Sequence, residues 1–225
     1  MVTQEELSRA FQEVGERYGY NNVTAEFANF THLKVRWTRS YKTAEFRVSD
    51  YLIDADVKVL EDLANTLYSR IAGSNCQYAE SMRDWALNPE FSKNKRPVYL
   101  RRSRNLTRTS IGTTRNLQDS LTRLEEAGFI EKDSNVEVVW STNKNSRRAG
   151  GCSVLMRLIS ISDELDSQDV PDYLVDYAVY CQYLRIIHGA RTFGVSDDIN
   201  TRDDERKYPR YREAENLLDK MCLFI

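Results

Sequence analysis

The chain has 225 residues, of which 41% are hydrophobic and 11% aromatic, so it is long enough to bury a sizeable apolar core. Its formal net charge of −2 favours neither a strongly acidic nor a strongly basic partner, and no apolar run approaches the roughly 18 residues of a membrane helix. We therefore expect a soluble, cytoplasmic protein without a membrane partner.

Four cysteines are widely separated, and no two of them form a Cys-x-x-Cys pair: Cys76, Cys152, Cys181 and Cys222. This spacing is typical neither of a disulfide framework nor of a zinc ribbon. We interpret the four as free, buried thiols of a protein in a reducing compartment.

The first fifty residues predict a helix followed by strands. Thr3 and Glu6 have the spacing of a capping box, and the apolar residues that follow recur at helical intervals, so a helix opens the chain and ends near Gly19. Three segments within residues 22–49 are rich in β-branched and aromatic residues with partial alternation. They predict a small antiparallel meander.

Two further helices are predicted before residue 90. The first begins near Asp54 or Asp56, carries one apolar stripe and ends at Gly73, which suits the position after a helix end. A shorter one covers residues 78–87. We therefore expect residues 1–92 to form an α+β region.

The stretch from Phe91 to Gln118 contains eight Lys or Arg residues and no acidic residue. Pro97 and Gly112 are helix breakers, so the pattern predicts an irregular connecting segment over residues 93–116. Cations interleaved with an aromatic ring can neutralise phosphates and stack a base. The candidate nucleic-acid-binding residues are Lys93, Lys95, Arg96, Tyr99, Arg101, Arg102, Arg104, Arg108 and Arg115, joined farther along by Arg147 and Arg148.

An intramolecular role for these cations is the alternative. Arginines of a solvated loop can pair with acidic side chains elsewhere on the surface. The sequence offers such a group in Asp197, Asp198, Asp203, Asp204 and Glu205. At the level of sequence both interpretations stay open.

Helix and strand patterns alternate after residue 116. A helix begins at Leu117 and ends at Gly128, and two strands follow over residues 136–141 and 152–161. The basic, turn-rich run between them, residues 142–151, predicts a hairpin. We therefore expect the two strands to be neighbours.

Two helices complete the chain. Pro171 suits the first position of a long helix that reaches His188, and Gly189 is expected to stop it. The last helix covers residues 209–221. The predicted class of the whole chain is therefore α+β.

The order of these carboxy-terminal elements carries a family resemblance. A strand ending in Trp-Ser, a strand reading Leu-Ile-Ser-Ile-Ser and a helix opening Val-Pro-Asp-Tyr-Leu-Val-Asp-Tyr-Ala-Val-Tyr resemble the SprT-like and YgjP-like zinc metallopeptidases. The resemblance covers roughly Leu117 to Met221. Residues 47–55 and 96–105 are similar to segments that precede the peptidase core in archaeal-type members. The resemblance implies a zincin-like fold for residues 117–225, with the amino-terminal region packed on that fold.

The catalytic motif of that family is altered in this chain. Family members continue the helix with His-Glu-x-x-His, whose histidines hold Zn²⁺ and whose glutamate accepts a proton from the metal-bound water. Here the sequence reads Cys181-Gln182-Tyr183-Leu184-Arg185. Gln182 cannot act as a base, and the permanent charge of Arg185 repels a cation. The third family ligand corresponds to Asn200, so we predict neither a metal, nor a cofactor, nor a catalytic residue at this site.

These substitutions predict a catalytically inactive protein of metallopeptidase fold. Its role would be that of a binding or scaffold protein, either for nucleic acid or for an extended polypeptide held in the vacant cleft. The alternative from another class is a hydrolase with an unorthodox metal or thiol site around Cys181 and His188. His32 and His188 are the only histidines, so the chain cannot assemble a site of three imidazoles.

Overall fold

Residues 1–143, 147–192 and 200–225 are described by the computed structural model, which has helices and two small mixed sheets and is of the predicted α+β class. The chain divides into an amino-terminal unit, Met1–Asn88, and a carboxy-terminal unit, Pro89–Ile225. The basic segment 93–116 thus belongs to the second unit. No helix in the described ranges combines the length and the apolar composition that crossing a bilayer requires.

The amino-terminal unit contains the predicted helices at the predicted places. The capping box of Thr3 and Glu6 is formed, and Gly19 and Gly73 follow the first two helices with φ of +82° and +91°, a conformation that favours glycine. Its elements are α1 (Gln4–Arg17), β1 (Asn22–Ala28), β2 (Val35–Ser40), β3 (Thr43–Ser49), a short 3-10 helix (Asp50–Asp54), α2 (Val57–Ile71) and α3 (Glu80–Leu87).

The first sheet is not the antiparallel meander that the sequence suggests. Its order is β1-β3-β2, in which β3 pairs in parallel with β1 and antiparallel with β2. The alternation of apolar residues fixes the face that each strand buries but not the neighbour it pairs with. One face, which includes Phe46 and Val48, packs in a core with Phe11 of α1 and Leu60 of α2.

The carboxy-terminal unit is built around one long helix. Its elements are α4 (Pro89–Arg102), α5 (Leu117–Glu126), β4 (Glu137–Ser141), β5 (Gly150–Ser153), β6 (Leu158–Ser162), a 3-10 turn (Asp163–Leu165), α6 (Asp172–Thr192), α7 (Arg202–Glu205) and α8 (Tyr211–Lys220). Apolar residues of α6, Trp140 of β4 and Ile161 of β6 belong to one buried core.

The predicted hairpin between residues 136–141 and 152–161 is wrong. The sheet order is β4-β6-β5, with β4 parallel to β6, and the hairpin instead joins β5 to β6. The predicted strand 152–161 contains no Gly or Pro to mark the turn between β5 and β6. That turn covers residues 154–157 and ends at Arg157, whose φ is +47°. Of the predicted hairpin residues, 144–146 lie outside the described part of the chain.

The predicted irregular segment 93–116 is confirmed only for residues 103–116, and the predicted stop at Gly189 is wrong. Residues 89–102 form α4, with Pro97 inside it, rather than an irregular segment. Proline removes one backbone donor, but the burial of Phe91, Arg96 and Tyr99 along this helix offsets that loss. Similarly, α6 continues through Gly189, because an isolated glycine costs only about 1 kcal/mol in a helix that is otherwise well packed.

Backbone hydrogen bonds widen the second sheet at one end. Beside β4, Thr107 N donates to Trp140 O and Thr142 N to Asn105 O, both at 2.9 Å. Next to the start of β5, Ala149 N donates to Phe224 O at 2.8 Å, and Phe224 N to Arg147 O at 2.9 Å. At this end the sheet is therefore five chain segments wide.

A buried arginine fixes α4 to the strands of this unit. Arg96 is 3% exposed; its Nε donates to Met156 O at 2.6 Å, and its other nitrogens contact the backbone and side-chain oxygens of Asn135 and the carboxylate of Glu137. These contacts satisfy two buried carbonyl groups at once. Arg96 is thus a structural residue.

Replacing Arg96 with methionine should destabilise the protein strongly. The change leaves buried carbonyl oxygens of Met156 and Asn135 unpaired, so we expect a loss of about 2 to 5 kcal/mol in the free energy of unfolding, measured with urea. Lys93→Met is the control, because Lys93 makes only an exposed ion pair with Glu90 and should change stability by about 0.5 kcal/mol at most. Equal effects of the two changes would contradict this role of Arg96.

Candidate functional site

The altered motif lies where α6 packs against the start of β5. Cys181 and Gln182 are fully buried. Gly150 at the start of β5 allows this approach, since a Cβ there would lie 3.2 Å from Gln182 Cγ and 3.0 Å from Ser160 O. The helix therefore holds Cys181 and Arg185, one turn apart, at the position that the resemblance assigns to two metal ligands.

Arg185 is paired with a buried carboxylate. Its Nη2 lies 3.6 Å from Oε1 of Glu205, a residue of α7 that is only 2% exposed, and its Nη1 donates to Gln182 Oε1 at 3.4 Å. Thr201 Oγ1 also donates to Glu205 Oε1, at 2.6 Å. A carboxylate in this environment needs such partners, because burying an unpaired charge costs several kcal/mol.

The ion pairs extend from Glu205 to the last helix. Arg202 Nη1 lies 3.9 Å from Glu205 Oε2 and 3.4 Å from Glu215 Oε2. Glu215 in turn accepts a hydrogen bond of 2.7 Å from the hydroxyl of Tyr177 on α6. The two guanidinium groups of this set balance its two carboxylates. We call the set the Arg185–Glu205 network; its members are Tyr177, Gln182, Arg185, Thr201, Arg202, Glu205 and Glu215.

Asn200 is the residue that the resemblance matches to the third family ligand. Its side chain is exposed in the turn before α7, where Oδ1 accepts a hydrogen bond of 3.2 Å from Arg202 N. The residue that contacts the altered motif is Glu205 instead. Sequence reasoning missed it because Glu205 ends the run Asp203-Asp204-Glu205, which is typical of a solvated surface.

The thiol and the imidazole of the alternative hydrolase site are not brought together. Seven residues separate Cys181 from His188, which places them roughly 10 Å apart along the helix axis. His188 Nε2 lies 2.9 Å from Asp204 Oδ2. Burial raises the pKa of the Cys181 thiol well above its usual range, and nearby Glu205 raises it further. Burial also raises the pKa of Cys152, to about 11.

The basic residues of the candidate interface divide into buried and exposed ones. Lys95, Arg96 and Tyr99 are buried. Arg115 Nε donates to Asp172 Oδ1 at 3.0 Å, and the rest of its guanidinium contacts the carbonyl groups of Ser167 and Val170. Arg102 is half-buried, and Lys93 pairs with Glu90. The exposed members are Lys93, Arg101, Arg104, Arg108, Arg147 and Arg148.

The acidic partners proposed for these cations are used differently. Asp203 pairs with Arg206, Asp204 with Lys207 and His188, and Glu205 with Arg185 and Arg202. Within the basic stretch, Lys93 pairs with Glu90, Arg96 with Glu137 and Arg115 with Asp172. Asp197 and Asp198 lie outside the described residues.

A groove of about 330 Å³ runs along another face of α6. Tyr180, Tyr183, Leu184, Ile187 and His188 line one side, whereas Cys181, Gln182 and Arg185 are not among the lining residues. Lys207 and His188, beside Asp204 at the rim, lower the pKa of that carboxyl group. The groove is therefore lined by Tyr183 and Leu184 of the altered motif but not by Cys181, Gln182 or Arg185, which stand at the ligand and base positions.

Comparisons of the chain with protein-family models, with curated proteins and with solved structures found no match. Within the described ranges, no three or more His, Cys, Asp and Glu side chains are arranged so that they could hold a metal ion. The site is thus characterised by its own geometry: an ion-pair network around the buried Glu205 on one face of α6 and a groove on another.

Alkylation tests the thiol at this site. Because burial keeps Cys181 protonated at neutral pH, iodoacetamide should leave it unmodified in the folded protein, while the exposed Cys222 reacts. Mass spectrometry of peptides identifies the modified residues, and the urea-unfolded chain, in which all four cysteines react, is the control. Rapid modification of Cys181 in the folded protein would favour the thiol hydrolase.

Proposed function

We propose that this chain is a non-catalytic nucleic-acid-binding protein whose carboxy-terminal unit has a zincin-like fold. The observation that supports the absence of hydrolysis is the Arg185–Glu205 ion pair. A cationic side chain thus stands where a hydrolytic site would need a metal ion. Gln182, at the position of the catalytic base, cannot accept a proton. The face of α6 that carries Arg185 therefore serves to hold α7 through Glu205.

The partner is inferred from exposed arginines at the wide end of the second sheet. Thr142 N, at the end of β4, donates to Asn105 O, and Ser162 N, at the end of the neighbouring β6, donates to Ala149 O. The segments that carry Arg104 and Arg147 are therefore three strand spacings apart, roughly 14 Å. We call Arg104, Arg108, Arg147 and Arg148 the arginine patch. Asp163 and Glu164 follow β6 at the same end, and the four arginines of the patch outnumber these two carboxylates.

An exposed aromatic ring adjoins this patch. Phe224 is half-exposed, and its backbone pairs with Arg147 and Ala149. Arginine side chains can neutralise phosphates, while an exposed ring can stack on a base. The patch therefore offers the two kinds of contact that nucleic acid uses.

Backbone pairing at the same end makes an added peptide strand less suitable. Thr107 already pairs with Trp140 along β4, and Phe224 with Arg147 and Ala149 beside β5. A polypeptide that bound by strand addition would need these donors and acceptors. Nucleic acid needs only the side chains.

Zinc binding by a redesigned α6 tests the zincin-like geometry. In the variant Cys181→His, Arg185→His, two imidazoles one turn apart would face Glu205, which gives the His₂Glu ligand set of many catalytic zinc sites. We expect about one zinc per chain after dialysis, measured by elemental analysis, without any change at Asn200. Adding Glu205→Gln should abolish binding. A folded variant that binds no zinc would contradict the proposed equivalence with a zincin helix.

Salt-dependent binding tests the arginine patch. Replacing Arg104, Arg108 and Arg147 with glutamine should weaken duplex binding and flatten the plot of log K against log salt by about 0.9 per lost phosphate contact. Fluorescence anisotropy of a labelled duplex measures both quantities. The control carries the same charge change at three other exposed cations of the unit: Lys132→Gln, Arg191→Gln and Arg212→Gln.

Only the patch variant should change the slope. If the two triple variants flatten it equally, binding depends on net charge rather than on this surface, and the proposal fails. Absence of binding by the wild-type chain at low salt would also reject it.

A further inference from the structure

A groove of about 430 Å³ lies along β2 in the amino-terminal unit. Because the sheet order is β1-β3-β2, β2 is an edge strand. Nearly all of its residues are exposed, including Trp37, whose 43% exposure is unusual for so large an apolar side chain. The lining residues are Val35, Arg36, Trp37, Thr38, Glu45 and Arg47.

Two cations that line this groove, Arg36 and Arg47, share one aromatic ring with Lys34, which precedes β2. Lys34 Nζ, Arg36 Cζ and Arg47 Cζ lie 5.0, 5.5 and 5.9 Å from the centroid of the Phe30 ring, which is itself buried. Cation–π attraction holds such groups in place. The charges at this end of the groove are therefore preorganised without being neutralised by the ring.

The segment that forms the groove is strongly basic for a chain of net charge −2. Between Phe30 and Arg47 there are five Lys or Arg residues and one carboxylate, Glu45, which accepts a hydrogen bond of 3.3 Å from Thr38. Glu26 pairs with Arg47 at 3.0 Å. Even with both carboxylates included, the surface keeps a positive charge.

A second exposed aromatic ring lies four residues after Trp37 in the chain. Tyr41, in the turn between β2 and β3, is 92% exposed, and Lys42 Nζ lies 5.7 Å from its ring centroid. Exposed aromatic rings next to cations are typical of platforms on which bases of a single strand stack while phosphates meet Lys and Arg.

We infer that the β2 groove binds single-stranded nucleic acid across the edge of the sheet. Trp37, which shares its face with Phe46, stacks on a base, and the cross-strand neighbours Arg36 and Arg47 on the opposite face contact phosphates. A duplex presents its phosphates but not the faces of its bases, so it would use the cations and not the tryptophan. An acidic peptide would use the cations and the free edge of β2, but it gives no reason for two exposed aromatic rings. This site does not depend on the arginine patch.

Anisotropy with a labelled thymidine strand of about 15 nucleotides tests the groove in the full chain. Trp37→Ala should weaken binding about tenfold or more, whereas Trp37→Phe should retain most of it. Arg36→Gln should flatten the log–log salt slope by about 0.7, the value for one contact on a single strand. Arg9→Gln, which removes an exposed cation from α1, is the control and should leave the slope unchanged.

Two further measurements separate the possible ligands. The thymidine strand should quench tryptophan fluorescence in the wild type but much less in Trp37→Phe. A duplex of equal length should bind Trp37→Ala and the wild type with equal affinity. The inference is overturned if Trp37→Ala and Arg36→Gln bind the strand normally. It is also overturned if a labelled glutamate-rich peptide, rather than the strand, loses affinity in both variants.

The outcomes for the two surfaces are distinguishable. A patch variant with altered duplex binding but unchanged Trp37-dependent binding of single strands supports both sites. Loss of single-strand binding on changing the arginine patch alone, with Trp37→Ala having no effect, would overturn the β2 groove and leave the proposed function intact.

Discussion

The buried carboxylate of Glu205 is the constraint on which the carboxy-terminal helices depend. A charge removed from water must be paired and hydrogen-bonded, and here Arg185 and Thr201 provide both. Since Arg185 is on α6 and Glu205 on α7, the requirement fixes the position of the short helix on the long one. Any ligand at this face would have to replace the guanidinium charge that balances Glu205.

Arginine serves as a connector elsewhere in the same unit. Arg123 of α5 forms a bidentate pair with Asp176 of α6, at 2.9 and 2.8 Å, and Arg96 and Arg115 satisfy carbonyl groups of neighbouring segments. The planar guanidinium suits this role, because it donates several hydrogen bonds in fixed directions. Much of the basic composition between residues 91 and 118 is therefore structural, and only part of it faces solvent.

Local signals in the sequence predicted most helices but not the pairing of the strands. The ends of α1 and α2 follow from the capping box at Thr3 and from glycines at 19 and 73, which act within one turn. Sheet order depends on contacts between residues far apart, so the alternation in β1, β2 and β3 could not reveal the parallel pair. Glu205 was missed because it ends an acidic run typical of a surface, and its partner Arg185 lies twenty residues away in the sequence.

Two segments of the chain share a composition but differ in what they expose. Both residues 91–118 and residues 27–44 combine several cations with aromatic side chains and contain no acid. In the first, Tyr99 is only 8% exposed, so its ring cannot stack on a base; in the second, Trp37 and Tyr41 are open to solvent. Charge along the sequence describes how strongly a segment attracts phosphate. Burial of the neighbouring ring determines whether that segment can also hold a base, and this property depends on packing that the sequence does not display.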